Sequence, residues 1–204
     1  MEFRLIYRGA LPAQGSGKGG KRRKEKHAIR REFHRQLKEL WNQNPFLRKR
    51  GTGLIHVERE GVVEKHCTRL ELIAEQYQVN DFSFVPLINE AGGLACSLHI
   101  LFLRRDNPGH LIESGGDIDN RIKVLFDALR KPDGNEIRHC HPAEDEKPFH
   151  CLLENDVLVS EVSVTTDRLL LPQEPGEDIH AVMLIVQVKT IIADMEKAYI
   201  EFLA

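Results

Sequence analysis

The sequence predicts an α+β domain in the order β-α-β-β-α-β-β, with two helices packed on a mainly antiparallel mixed sheet. Three observations predict it. Five segments alternate apolar with polar residues or run continuously apolar, and two others repeat apolar residues at helical spacing. The two apolar segments after residue 80 are joined by a short turn-like connector, which favours antiparallel neighbours over crossovers. A length of 204 residues, 41% apolar and 29% charged, suits a single domain spanning 1–204.

Each element follows from its pattern. Phe3 to Arg8 alternates with period two and reads as a half-buried strand. Residues 9–26 are glycine-rich and then basic, a composition that predicts a loop. From His27 the period becomes helical, with Ile29, Phe33, Leu37, Leu40 and Trp41 on one face, and Asn44-Pro45 ends it. Residues 48–66 mix glycine with charge and fit neither period. Phe82–Ile88 and Leu94–Leu103, separated by Asn89-Glu90-Ala91-Gly92-Gly93, are expected to form a β-hairpin. Asp119–Arg130 predicts a helix with Ile122, Leu125, Phe126 and Leu129 turned to the core, stopped by Lys131-Pro132-Asp133-Gly134. A polar stretch at about 131–152 is long for a compact domain and reads as an insertion. Val157–Thr166 and His180–Thr190 are β-rich and complete the sheet.

Net charge is −2, but its distribution is uneven. Residues 1–50 hold fifteen Lys/Arg against four acids, +11, and the remainder fourteen against twenty-seven, −13. That asymmetry predicts a polyanion-binding arm beside a carboxylate-rich body. No stretch reaches the roughly 18 apolar residues of a membrane helix, so a cytoplasmic protein without a membrane partner is expected. Four scattered cysteines make no disulfide framework. His139, Cys140, His141, His150 and Cys151 match no standard zinc spacing; surface histidine with reduced cysteine is preferred to a Zn²⁺ site. Gly15–Gly20 lacks the spacing of a phosphate-binding nucleotide loop.

The chemistry concentrates at the start of the second helix. In an extended chain Asp117 and Asp119 point to one side while Ile118 enters the core, and Asp119 suits a helix N-terminus. Lys123 follows Asp119 by four residues and Asp127 follows Lys123 by four, which places all three on one stripe. As a bland reading, Asp-x-Asp is a cap beside a solvated acid, and the lysine is a surface ion pair. Glu154 and Asp156 precede the next strand. If that turn packs beside the helix start, several carboxylates converge, and all-oxygen ligands suit Mg²⁺, with Mn²⁺ as the alternative. Such an ion activates water and neutralises phosphoryl charge, so with the basic arm a metal-dependent nuclease is the economical expectation.

Asp117-Ile118-Asp119-Asn120, then Lys123, then Phe126-Asp127-Ala128-Leu129 and a later Asn155-Asp156 resemble the RusA family of Holliday-junction resolvases. The resemblance is dense over 115–160 and elsewhere rests on element order. It implies a homodimeric, Mg²⁺-dependent endonuclease acting on branched, four-way DNA, with Asp117, Asp119, Lys123 and Asp156 as catalytic residues. Asp117, Asp119 and Asp156 would be the metal ligands. Lys18, Lys21, Arg22, Arg23, Lys24, Lys26, Arg30 and Arg31 are the expected DNA contacts. Asn155 stands where the family often has Asp, Leu158 where it commonly has Gln, and 131–152 is longer than usual. These departures support the alternative of a DNA-binding relative with weak or no catalysis.

Overall fold

A computed structural model describes residues 1–12, 19–59, 62–105, 118–178 and 181–198. The α+β class expected from the sequence is the class observed, with helices on mixed sheets. Strand β1 (Glu2–Ala10) buries Leu5 and Tyr7. Helix α1 (Gly19–Gln43) buries Ile29, Phe33, Leu37 and Trp41, each four residues from the last, as an amphipathic helix must.

Helix α1 begins eight residues before His27, inside the segment expected to be a basic loop. Lys and Arg are good helix formers, and carboxylates elsewhere in the chain relieve part of their repulsion. Asn44 then caps a second helix, α2 (Pro45–Thr52), accepting from the Phe46 and Leu47 amides at 3.1 Å, with Pro45 at the first helical position where its missing N–H costs nothing. A hairpin of β2 (Leu54–Arg59) and β3 (Val62–Thr68) follows. Helix α3 (Arg69–Gln76) is opened by a Thr68/Glu71 capping box.

The expected β-hairpin of Phe82–Ile88 with Leu94–Leu103 is not what forms. Strand β5 (Phe82–Ile88) pairs antiparallel with the short β4 (Gln78–Val79) and parallel with β7 (Phe149–Leu153). Strand β6 (Leu94–Arg104) belongs to another sheet, ordered β1-β9-β6-β8, where it runs parallel to β8 (Val159–Arg168) and antiparallel to β9 (Ala181–Ile192). β5 is buried on both faces apart from Ser83, and a strand without a solvent face is satisfied as the centre of a small mixed sheet. The connector at 89–93 is braced by the Asn89 side chain, which donates to the Pro86 carbonyl and accepts from the Gly92 amide. Gly93 sits at φ +61° with the Asp194 carbonyl 2.4 Å from where a Cβ would stand, so only glycine fits. The chain thereby passes from one sheet to the next.

Helix α4 (Ile118–Leu129) buries Val124, Leu125, Ala128 and Leu129. The segment expected to be an insertion is not a detached appendage: Ile137 is fully buried, and it leads into β7, whose residues are all buried. Among the described residues no helix is long and apolar enough to cross a membrane.

Candidate active site

Asp119 lies in the first turn of α4 and Lys123 one turn later; Lys123 Nζ stands 3.1 Å from the Asp119 carboxylate. Both side chains are more than half exposed, 57% for Lys123 and 55% for Asp119. The start of the helix is fixed by Arg121, which donates to the carbonyl of Leu11 at 3.2 Å and ties α4 to the exit of β1. Asp119 is therefore an anchored carboxylate near the positive end of a helix dipole, with an ammonium beside it. Asp117 lies outside the described residues.

Asp127 does not share this exposed arrangement. Its carboxylate meets Lys26 at 3.0 Å and Arg130 at 3.2 Å. Burial pushes its pKa up, but those two cations outweigh burial and hold it below the ordinary carboxylate value.

Asp156 is exposed and opens a 3₁₀ turn, Asp156–Leu158, capped by Asn155, whose side chain accepts from the Val157 amide at 3.2 Å. Neighbouring Glu154 is committed to the fold, accepting from the Tyr77 hydroxyl at 3.1 Å and the Glu90 amide at 2.9 Å. The registers locate this turn relative to Asp119. Leu11 follows the Ala10 end of β1, and the pairs Ala10↔Ala181 and Leu103↔Met183 put that end beside the last residues of β6. Val159, just after the Asp156 turn, pairs with Cys96 near the first residues of β6. Helix α4 spans the interval, since Lys131 N–H donates to the Leu153 carbonyl at 2.8 Å at its far end. Twelve helical residues extend about 18 Å. Asp119 lies at the first turn of α4 and Leu153, three residues before Asp156, at its last, whereas carboxylates sharing a Mg²⁺ each place an oxygen about 2.1 Å from it.

The registers thus associate Asp156 with the first residues of β6 and Asp119, through Arg121 and Leu11, with its last. Among the described residues no group of three or more His, Cys, Asp or Glu is placed to hold a metal ion. The donor chemistry still fits a hard divalent cation in part. Mg²⁺ is commonly held by one or two carboxylates, with phosphate oxygens and water completing its shell, and Asp119 can supply one of them.

The expected DNA contacts divide sharply. Lys18 is outside the described residues, and Lys21 and Arg22 lie in the first turns of α1. Lys24 is exposed, and Arg23 donates to the Asn135 carbonyl at 3.1 Å. Lys26 and Arg30 are buried cations, which corrects their assignment to the DNA surface; Arg31 is only partly covered, its side chain 42% exposed. Lys26 pairs with Glu136 and Asp127; Arg30, 2% exposed, donates to Glu136 at 2.8 Å and to the Asp127 carbonyl at 2.7 Å; Arg31 pairs with Glu146. Their partners come from α4 and from 131–152, and Glu146 is buried, so that stretch holds α1 by ion pairs and hydrogen bonds. His34 and Lys38 add bonds to the Asp145 carbonyl.

A feature that sequence reasoning missed is a set of buried imidazoles. His34 and His27 stack on Phe149 at 4.4 Å and 5.9 Å, and His150 lies 5.6 Å from the His34 ring. Burial lowers all three, His27 to about 4 and His150 to about 3, so they are neutral at pH 7. The spacing of His27, His34 and Trp41 at seven-residue intervals beside the apolar stripe was the available signal. Of the residues weighed for zinc, His150 and Cys151 are buried on β7 and His141 faces Asp81 at 2.9 Å. The four cysteines are free thiols. No family model, curated protein or solved structure matches this chain.

Proposed function

We propose that the chain is a metal-dependent endonuclease for branched DNA, acting as a homodimer through the start of helix α4. The observation that carries this reading is the Asp119–Lys123 pair, set within Asp117-Ile118-Asp119-Asn120 and more than half exposed, whereas Arg121 and Asp127 of the same helix are drawn into the fold. Asp119, with Asp117 by sequence, would hold the divalent ion. Such an ion lowers the pKa of water and neutralises charge developing on a phosphoryl group. Lys123 donates toward a non-bridging phosphate oxygen from a position fixed by its bond to Asp119, and Asp119 in turn fixes the orientation of that ammonium. Lys24, Lys21 and Arg22, at the basic start of α1, are the remaining candidates for tracking the backbone by counterion release.

A second reading, a DNA-binding protein that does not cut, is favoured by the registers, which associate Asp156 and Asp119 with opposite ends of β6, and by the structural employment of Glu154 and Asn155. One experiment separates the two. A labelled four-way junction, with linear duplex as control, is titrated with Mg²⁺ or Mn²⁺ in the presence of the full chain and of Asp119→Asn. The first reading expects paired nicks in the junction and their loss in the variant with binding retained. Binding without nicks under every metal condition establishes the second, and absence of binding removes both.

A further inference from the structure

We infer that the free edge of strand β8 is the surface on which a second copy of this chain docks, joining two four-stranded sheets into one. This makes the homodimer of the preceding reading specific; the nuclease assignment can fail without affecting it.

The two edges of the main sheet are treated differently. At the β1 edge, the side chain of Gln36 accepts from the Ile6 amide at 2.8 Å and donates to the Ile6 carbonyl at 2.7 Å, so helix α1 occupies the edge. At the other edge, β8 pairs only with β6 among the described residues, and every residue of β8 except Val159 and Thr166 is exposed. Strand edges are ordinarily protected by lysine, proline or brevity. This one is ten residues long, VSEVSVTTDR, with neither proline nor lysine and with its charges near the two ends.

Its apolar side chains lie on the core side of the sheet. Val162 pairs with Leu98 and Val164 with Ile100, both buried, so the two valines share the face that elsewhere contacts the core. They are nevertheless 44% and 37% exposed. The core layer leaves this valine pair part-exposed, beside a strand edge that no other described strand pairs with.

The strand is complementary to itself. Antiparallel pairing centred on Ser163 sets Val162 opposite Val164 twice on the core-side face and Glu161 opposite Thr165. Centring it one residue later would oppose Glu161 with Asp167, a like-charge pair that disfavours that register. Among the described residues the main sheet has one open edge, because Gln36 guards the other, so association through it closes as a two-fold dimer and does not propagate into a fibre. Antiparallel pairing also reverses the ends: Asp156 of each copy is carried toward the end of the joint sheet at which the other copy's α4 begins.

The test is the solution mass of the full chain, measured by light scattering and sedimentation across micromolar concentrations, with Val162→Lys and Val164→Lys as edge-blocking variants. The expected result is a wild-type dimer and monomeric variants with an unchanged far-ultraviolet spectrum. A monomeric wild type, or folded variants that remain dimeric, overturns the inference. Should the lysine variants fail to fold, Ser163→Cys in a Cys140→Ser background keeps it testable. Mild oxidation is expected to give a covalent dimer through position 163, and absence of that cross-link overturns the proposed register and edge.

Discussion

Helices α1 and α4 both carry lysine and arginine beside an apolar stripe, and they use those cations in opposite ways. In α1, Lys26, Arg30 and Arg31 point into carboxylates supplied by Asp127, Glu136 and Glu146. At the start of α4, Lys123 meets a neighbouring carboxylate of its own helix, and both side chains are more than half exposed. Charge density along a sequence therefore does not by itself locate a polyanion-binding face. The basic excess of the first fifty residues is in part a fastening device, complementary to acids in the second half of the chain, while the exposed Asp119–Lys123 pair lies in a less basic region.

The sharpest way to break this contrast is to remove Arg30. Its guanidinium is buried, with two donors on the Asp127 carbonyl and one on Glu136. Arg30→Met leaves the Glu136 carboxylate, 12% exposed, with one cation fewer and is expected to cost about 3 kcal/mol, the low end for breaking a buried pair, because Lys26 and Arg130 still face that carboxylate. Urea denaturation at constant m-value measures it. Adding Glu136→Gln should recover part of the loss, since the two changes act on one contact; strictly additive losses would show that Arg30 acts through packing alone.

How far the sequence discloses this molecule depends on whether a feature is local. The stripes of α1 and α4 and the apolar runs of β1, β6 and β9 are periodic within one segment, and each forms as its period predicts. The partner of a strand is not a local property. Phe82–Ile88 and Leu94–Leu103 have the connector of a hairpin, yet β5 is enclosed by β4 and β7, and β7 begins inside the polar stretch 131–152 that reads as an insertion. The same distinction holds at the site. Asp119 and Lys123 are one helical turn apart and their contact is legible, whereas the place of Asp156 depends on register across β6 and on the length of α4.

Acid sharpens the comparison next, because the α1 interface holds neutral imidazoles while the Asp119–Lys123 pair is more than half exposed. His27 and His150 have folded pKa values of about 4 and about 3, below the ordinary 6.5, chiefly through burial. The unfolded chain therefore binds protons that the folded chain excludes. Their stabilisation is fully present above about pH 6.5 and is lost as the pH falls toward the folded values. The expected outcome is a urea midpoint that falls between about pH 7 and pH 5, and falls less in His27→Phe, an aromatic replacement for a ring that packs on Phe82 and Phe149. An unchanged slope in that variant would remove His27 as a source of the pH dependence.

The smallest expected effect is at Lys123. An exposed i,i+4 pair contributes about 0.3–0.5 kcal/mol and is screened by salt, so Lys123→Ala should leave thermal unfolding nearly unchanged and the residual difference should vanish at high ionic strength. The same substitution is expected to lower junction cleavage at least tenfold if the ammonium contacts the phosphate, which makes it the reverse of Arg30→Met: large on activity and small on stability. A stability loss above about 1 kcal/mol would place Lys123 with the fastening cations of α1 and erase the difference between the two helices. Equal cleavage with unchanged stability would leave the pair a solvated helix contact, and the proposed role of Lys123 would fall.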